Sequence, residues 1–282
     1  MRIYRQIFFA ISAVFVLFGL TVAQGPGKFP KVPILDSEVR SLVSKDTGRA
    51  YDLYIHLPAA PTAGKKYPVL YVLDGQWDFK LIDSVYGGLF YDRFVPEMVI
   101  VGITYSDSNP DFNALRAMDY TPTAEKTVKG SGDAAKFLNF LKKDVVPVVE
   151  KEYNGDPANR VLIGSSYGGL FTLYAMFAEP KFFSRYISSS PAVSFDNGFS
   201  YKQEKEFAAA NKELPVKLFI SVGSLEVLTQ PVKDFIQVLN SRNYNGLKME
   251  SRIIDGERHA GNKPEAYNRG LRYIFSSPVA DH

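Results

Sequence analysis

The most informative part of the sequence is the stretch RVLIGSSYGGL, residues 160–170. An apolar run of strand type leads directly into Gly-x-Ser-x-Gly, and small and apolar residues of helical character follow it. The central serine is Ser166, because only this serine has a glycine two residues away on both sides. A sharp turn from strand to helix would place its hydroxyl above the end of the strand. The small glycines are needed there because side chains would collide with the neighbouring backbone. This context predicts that Ser166 is a nucleophile, not part of an ordinary Gly/Ser-rich turn.

Other apolar runs extend this pattern along the chain, and each predicts a strand buried on both faces of a parallel sheet. They cover residues 69–73, 99–103, 161–163 and 218–222, with weaker candidates at 186–188 and 251–254. Alternating segments on either side of a turn, at 38–44 and 51–57, predict an antiparallel hairpin. Helical periodicity occurs at 133–150, 169–178, 232–241 and 265–275. The alternation predicts an α/β domain with a mostly parallel central sheet, an antiparallel N-terminal hairpin and helices on both faces.

The N-terminus has the layout of a secretory signal peptide over residues 1–23, with a short basic stretch before an apolar run at 7–20. That run is shorter than the roughly 20 residues that span a bilayer, which favours cleavage over retention as an anchor. We therefore expect a secreted or periplasmic protein with a flexible leader at 24–34 and a single domain at 35–277. The segment 191–215 is long enough only for a small cap.

Composition excludes several function classes. Cysteine is absent, so neither disulfides, Cys-ligated metal nor a thiol nucleophile can occur. Without residues 1–23 the chain has 31 basic and 30 acidic residues, scattered and not clustered, and no nucleic-acid-binding motif. We expect a small-molecule ester substrate, with no nucleic-acid partner, no membrane partner after cleavage of the signal, no metal and no cofactor. The oligomeric state is not indicated.

The general base is predicted to be His259. A serine hydroxyl needs a base within hydrogen-bond reach, and the chain has three histidines. His56 lies inside an alternating strand ahead of the serine, and His282 is the terminal residue. His259 follows the last predicted strand, so it comes after Ser166 in the chain order of serine, acid and histidine.

The acid that orients the base is predicted to be Glu226, because it comes just after the strand at 218–222. Asp255 and Glu257 are rivals on the histidine loop, although so short a loop would have to bend awkwardly to serve its own imidazole. A Ser-His dyad without an acid is a further alternative.

The oxyanion hole needs two backbone N–H donors, one from the residue after the nucleophile and one from the loop after the third strand. Tyr167 supplies the first in this prediction. The second comes from the loop Asp74-Gly75-Gln76-Trp77, where the N–H of Gln76 is the expected donor.

Four motifs occurring in order resemble those of the putative-esterase family of α/β-hydrolases. They are Tyr71 to Trp77, Gly164 to Gly169, Ser221 to Glu226 and Gly256 to His259. That family includes enterochelin, salmochelin and bacillibactin esterases, S-formylglutathione hydrolases of the esterase D type, feruloyl esterases and mycolyltransferases. The resemblance covers roughly residues 35–277 and implies an α/β-hydrolase fold.

Residues 115–122 look like the arginine and Asp-x-Thr-Pro segment of the siderophore esterases. This resemblance implies that Arg116 lies near the substrate, where a guanidinium could contact an anionic acyl or catecholate group. Trp77 is a second candidate substrate-binding residue. The expected function is carboxylic-ester hydrolysis through an acyl-enzyme on Ser166, with an enterobactin-like trilactone as candidate substrate. The alternatives are a general carboxylesterase or feruloyl esterase, an acyltransferase, and a hydrolase-like scaffold that only binds a ligand.

Overall fold

A computed structural model describes residues 32–59 and 61–276 of the chain. The predicted signal peptide at 1–23, most of the predicted leader at 24–34 and the terminal His282 lie outside the described residues. The predicted division into signal, leader and a single domain therefore stays a prediction. No helix within the described part of the chain is long and apolar enough to cross a bilayer.

Eight strands form one sheet, and each overlaps one of the predicted runs, although the strands at the runs 161–163 and 251–254 begin six and three residues earlier. They are β1 (Ser37–Val43), β2 (Ala50–His56), β3 (Tyr67–Val72), β4 (Val99–Tyr105), β5 (Gly155–Ser165), β6 (Arg185–Ser189), β7 (Lys217–Gly223) and β8 (Lys248–Ile254). Their order across the sheet is β1-β2-β4-β3-β5-β6-β7-β8. The hairpin β1-β2 is antiparallel and joins β4 antiparallel, whereas all other neighbours are parallel.

Eight α-helices connect and cover the strands. They are α1 (Gly75–Tyr91), α2 (Phe112–Tyr120), α3 (Ala134–Phe140), α4 (Val146–Glu152), α5 (Tyr167–Ala178), α6 (Phe195–Ala210), α7 (Thr229–Arg242) and α8 (Lys263–Phe275). A π-helical turn at Leu141–Val145 joins α3 to α4, so the helix expected over 133–150 is present in three parts. Helix α6 occupies most of the segment expected to form a small cap.

Two hydrophobic cores lie on opposite faces of the sheet, which confirms the prediction of helices on both sides. One core contains Phe79 of α1 and Leu271 of α8. The other contains Phe137 of α3, Phe171 of α5 and Phe235 of α7. The carboxyl ends of the parallel strands are thereby held at one common edge of the sheet, where chemistry is expected in such folds.

Three helices were not predicted from the sequence: α1, α2 and α6. Helix α6 is interrupted near its start, where Asp196, Asn197 and Gly198 all have positive φ angles. Such a break removes the regular 3.6-residue period on which sequence-based recognition of a helix depends. Helix α1 contains the adjacent glycines Gly87 and Gly88. Their low helix propensity makes this segment a weak candidate for a helix in the sequence.

Candidate active site

Ser166 occupies the sharp turn between β5 and α5. Its backbone has a φ of 60° and a ψ of −118°, a conformation rarely adopted by residues other than glycine. The Ser166 N–H donates to the Ser189 carbonyl oxygen, 3.0 Å away at the end of β6. Such strain costs roughly 1–3 kcal/mol and persists where the surrounding structure enforces it. The turn therefore holds this half-buried serine in the geometry of a nucleophile elbow.

The glycines around Ser166 are required by close backbone approach. A Cβ atom on Gly164 would overlap the carbonyl oxygen of Gly168, within the same turn. A Cβ atom on Gly169 would lie 2.9 Å from the carbonyl oxygen of Ser189. Both contacts are with backbone, which cannot move aside as a flexible side chain could. Close backbone approach thus explains Gly164 and Gly169, whereas a Cβ atom on Gly168 would lie 3.3 Å from a carboxylate oxygen of Asp74.

His259 and Glu226 meet above the carboxyl edge of the sheet. Glu226 lies between β7 and α7, and His259 lies between β8 and α8. His259 Nδ1 is 2.6 Å from Glu226 Oε2. The glutamate side chain is only 2% exposed, whereas the histidine side chain is 47% exposed. A buried carboxylate thus fixes one nitrogen of the imidazole, and the accessible ring can take up a proton through the other.

The Glu226 carboxylate is held by three further donors, all directed at Oε1. They are the Ser190 hydroxyl at 2.6 Å, the Gly223 N–H at 2.7 Å and the Asn262 side-chain amide at 2.9 Å. Burial by itself would raise the pKa of Glu226. The hydrogen bonds from His259, Ser190 and Gly223 outweigh burial and lower that pKa below its ordinary value. Glu226 is therefore ionised at neutral pH, as a carboxylate that orients an imidazole must be.

Gln76 and Tyr167 both lie in the first turn of a helix, as the second residue of α1 and the first residue of α5. N–H groups in the first turn of a helix have no partner within the helix, so both are donors that a ligand can use. The Gln76 side chain is fixed separately, because its Oε1 accepts a hydrogen bond of 2.8 Å from the Thr104 hydroxyl. Each of the two helix starts thus supplies one N–H group that has no partner within its helix.

Arg116 of α2 joins the two segments that carry these N–H groups. Its Nε and Nη2 each donate to one oxygen of Asp74 at 2.8 Å, and Nη2 also donates to the Ser165 carbonyl oxygen at 3.2 Å. Burial alone would lower the pKa of Arg116, but the hydrogen bonds and charge of Asp74 raise it. The guanidinium thus lies between the start of α1 and Ser165, the residue just before Ser166.

Aromatic rings surround the Arg116 guanidinium. The Trp77, Tyr120 and Tyr167 rings have centroids 5.5–5.7 Å from its central carbon. Trp77 is also 41% exposed, and its ring packs edge-on against Phe112. Aromatic rings therefore border the Arg116–Asp74 ion pair, and among them Trp77 is exposed whereas Tyr120 is buried.

The model of the family described as "Putative esterase" matches residues 44–260. The chain belongs to this family. It is an ester-hydrolysing serine hydrolase with an α/β-hydrolase fold, as the sequence predicts.

The esterase is similar to two curated siderophore esterases. "Ferri-bacillibactin esterase BesA" of Bacillus subtilis is 28% identical over 85% of this chain and 89% of the relative. "Apo-salmochelin esterase" of Escherichia coli is 30% identical over 68% of this chain and 65% of the relative. Among solved structures, the BES protein from Bacillus cereus superposes with a TM-score of 0.80 at 27% identity. That match covers 90% of this chain and 100% of the other.

Sequence reasoning missed two residues of the esterase site, Ser190 and Asn262. Asn262 is fully buried, and its amide nitrogen bonds Glu226, Ser190 and the carbonyl oxygen of His259. The only signal in the sequence was its place before the Lys263-Pro264 helix start, which is typical of an N-cap and so favours a structural reading. Ser190 directly follows β6 but carries no recognisable motif.

The other described histidine, His56, belongs to a different part of the molecule. It lies on β2, and its Nδ1 is 2.8 Å from an oxygen of Asp83 on α1. Its position on the strand therefore agrees with the structural role expected from the sequence.

Proposed function

We propose that this esterase hydrolyses siderophore esters through an acyl-enzyme formed on Ser166, with His259 as general base and Glu226 as the acid that orients it. One chain of hydrogen bonds supports this assignment. Ser166 N–H donates to the carbonyl oxygen of Ser189. The hydroxyl of Ser190, the residue after Ser189, donates to Glu226, and Glu226 contacts His259. The elbow and the base are thereby attached to the same strand end.

In the proposed reaction, Ser166 Oγ attacks the ester carbonyl carbon while His259 Nε2 accepts the hydroxyl proton. Glu226 accepts the Nδ1–H and so keeps Nε2 free to receive that proton. The imidazolium then protonates the departing alcohol as the ester C–O bond breaks. Water attacks the acyl-enzyme by the same route, and Ser166 regains its proton when the carboxylic acid leaves.

Negative charge develops on the substrate carbonyl oxygen during both steps. We assign its stabilisation to the backbone N–H groups of Gln76 and Tyr167, the donors at the two helix starts. Asp74 precedes this part of α1, and its carboxylate is fixed by Arg116. Arg116 is therefore proposed to position the oxyanion donors as well as to contact the substrate.

The proposed substrate class is supported by the relatives and by the side chains of Arg116 and Trp77. Two relatives are named as esterases of bacillibactin and salmochelin, which makes a catecholate siderophore the substrate proposed for this chain. Nη1 of Arg116 has no hydrogen-bond partner within residues 32–59 and 61–276, so it remains available to an anionic oxygen. Exposed Trp77 offers a ring against which an aryl group could stack.

We also propose that the protein acts after export, in the periplasm or outside the cell, since residues 1–23 have the layout of a signal peptide. N-terminal sequencing of protein recovered from the secreting cells tests this proposal. A mature chain beginning near Gln24 is expected. A retained Met1 would contradict it.

The esterase proposal is tested by comparing enterobactin and bacillibactin, each with and without iron, with p-nitrophenyl butyrate. We expect kcat/KM for a trilactone to exceed that for the simple ester by at least about tenfold, the discrimination that a few added contacts can supply. Equal values would indicate a general carboxylesterase.

A fluorophosphonate probe identifies the nucleophile in the same preparation. Labelling should be lost in Ser166→Ala and kept in the adjacent control Ser165→Ala. Ser165 is a suitable control because its side chain is buried. Labelling of Ser166→Ala at the rate of the parent protein would refute the assignment of the nucleophile.

A further inference from the structure

A strongly basic pocket lies beside α8 and the edge strand β8, and none of its lining residues belongs to the candidate active site. It has a volume of about 520 Å³, and its lining includes Arg93, Arg252, Arg269 and Arg272 together with Phe94 and Tyr273. One side of the pocket is formed by Ser276, just after the end of α8. Lys217, the first residue of β7, donates through Nζ to the Ser276 carbonyl oxygen, 2.5 Å away. The Ser276 side of the pocket is thus near the amino end of β7, whereas Arg252 is in register with Ser221 near the carboxyl end of that strand.

The charges of the basic pocket are only partly compensated. Arg252 pairs with Glu250 at 3.0 Å, and Arg269 pairs with Glu265 at 2.6 Å. Arg93 and Arg272 have no ion-pair partner among the residues described here. The Arg272 guanidinium instead lies 4.0 Å from the centroid of the Phe94 ring. Glu250 also lines the pocket but is paired with Arg252, so Arg93 and Arg272 are the two lining arginines without an ion pair in the described chain.

Further basic residues lie behind the pocket. Arg185, Lys217 and Lys248 are in register across β6, β7 and β8, at the start of each strand. Burial lowers the pKa of Lys217, and the charges of Arg185 and Lys248 lower it further. The starts of these three neighbouring strands thus carry like charges, although the chain as a whole has a net charge of only +3.

The backbone at Arg93 has a left-handed conformation, which is a second observation on the pocket. Arg93 follows α1 with a φ of 64°, and Phe94 N–H donates to the Leu89 carbonyl oxygen at 2.9 Å, as in a Schellman motif. Glycine is favoured at this left-handed position because any Cβ atom is crowded there. An arginine in a conformation that favours glycine places a guanidinium in the pocket lining at the cost of backbone strain, and strain of this kind clusters at functional sites.

We propose that the basic pocket binds a phosphate-bearing ligand. A guanidinium presents parallel N–H groups that match two phosphate oxygens, and several such groups together suit a phosphate dianion. The Phe94 and Tyr273 rings provide an apolar wall for the rest of the ligand. A soluble phosphorylated metabolite and a phospholipid headgroup share this chemistry. The inference does not depend on the ester substrate, because no residue that lines the pocket belongs to the candidate active site.

The experiment uses the full-length mature protein and a charge-matched pair of variants. Arg93→Gln/Arg272→Gln removes the two unpaired arginines of the pocket. Lys80→Gln/Lys202→Gln removes the same charge from two exposed lysines that do not line it. Calorimetric titration with pyrophosphate at low ionic strength should show binding. Affinity should weaken by about tenfold or more in the arginine variant, because its charge-assisted bonds are lost, and hardly change in the lysine variant.

Vesicles distinguish the two sources of phosphate. Co-sedimentation with phosphatidylglycerol vesicles but not phosphatidylcholine vesicles, abolished in the arginine variant, would identify a lipid headgroup. Tight pyrophosphate binding without co-sedimentation would identify a soluble ligand. Hydrolysis of p-nitrophenyl butyrate should stay at the parent rate in both variants, which shows that each is folded. Absence of binding to both probes, or equal weakening in the two variants, would overturn the proposal.

Discussion

Replacing Glu226 with glutamine tests the proposed acid most directly, because the structure predicts how the new amide will orient. In the parent protein Oε1 accepts three hydrogen bonds, from Ser190, Gly223 and Asn262, and Oε2 contacts His259 Nδ1. Only the oxygen of a glutamine amide can accept those three bonds. The amide should therefore turn its oxygen toward them and present its NH₂ group to the imidazole.

An NH₂ donor facing His259 Nδ1 selects the wrong tautomer. Nδ1 must then accept a hydrogen bond, so the ring proton moves to Nε2, the nitrogen that should take the proton of Ser166. The analogous Asp-to-Asn change in a serine protease lowers kcat by about 10⁴ through the wrong tautomer, which corresponds to about 5.4 kcal/mol of lost transition-state stabilisation. We expect a loss of about 10³ to 10⁴ for Glu226→Gln, with KM nearly unchanged.

Steady-state hydrolysis of p-nitrophenyl butyrate measures this effect, with Asp255→Asn as the matched control. Asp255 lies on the histidine loop, is exposed, and its carboxylate accepts one long hydrogen bond of 3.3 Å from the Ser224 hydroxyl. The control should retain nearly the parent rate. A Glu226→Gln enzyme within threefold of the parent, or a comparable loss in Asp255→Asn, would refute the reasoning and favour a dyad or a different acid.

Further changes test the surrounding structure. Arg116→Lys keeps the charge but loses the paired hydrogen bonds to Asp74, which precedes the proposed oxyanion donor Gln76. We therefore expect kcat to fall by about tenfold or more on p-nitrophenyl acetate and further on a trilactone. An unchanged rate on the acetate would exclude a positioning role for Arg116. Asn262→Ala leaves a buried carboxylate with one donor fewer and should cost about 1–3 kcal/mol in urea unfolding, together with a lower kcat. Gly164→Ala should prevent stable folding or shift the urea midpoint strongly downward, whereas Gly88→Ala, where an added Cβ meets open space, should gain about 0.5–1 kcal/mol. Because the pKa of Glu226 is lowered in the native state, its stabilisation is present above about pH 4.5 and is lost in more acid solution. The unfolding free energy of Glu226→Gln should therefore vary less with pH in that acid range than that of the parent.

The fold could be predicted largely from the sequence because strands and tight turns leave local signatures. Buried parallel strands appear as continuous apolar runs, and the turn at Ser166 needs glycines wherever backbone approaches backbone. Helices α1 and α6 were missed for equally local reasons. In α1 the adjacent glycines weaken the helical signal, and in α6 three residues of positive φ interrupt it.

The sequence by itself determined the order of the elements and a short list of chemically suited residues, among them Ser166, Glu226 and His259. Only the tertiary structure decided which of these groups touch and what holds them. Arg116 and Asp74 are 42 positions apart, and Ser190 and Glu226 are 36 apart. The row formed by Arg185, Lys217 and Lys248 exists only because three strands align. Such contacts leave no periodicity or spacing along the chain, since the sheet creates them by bringing distant segments side by side.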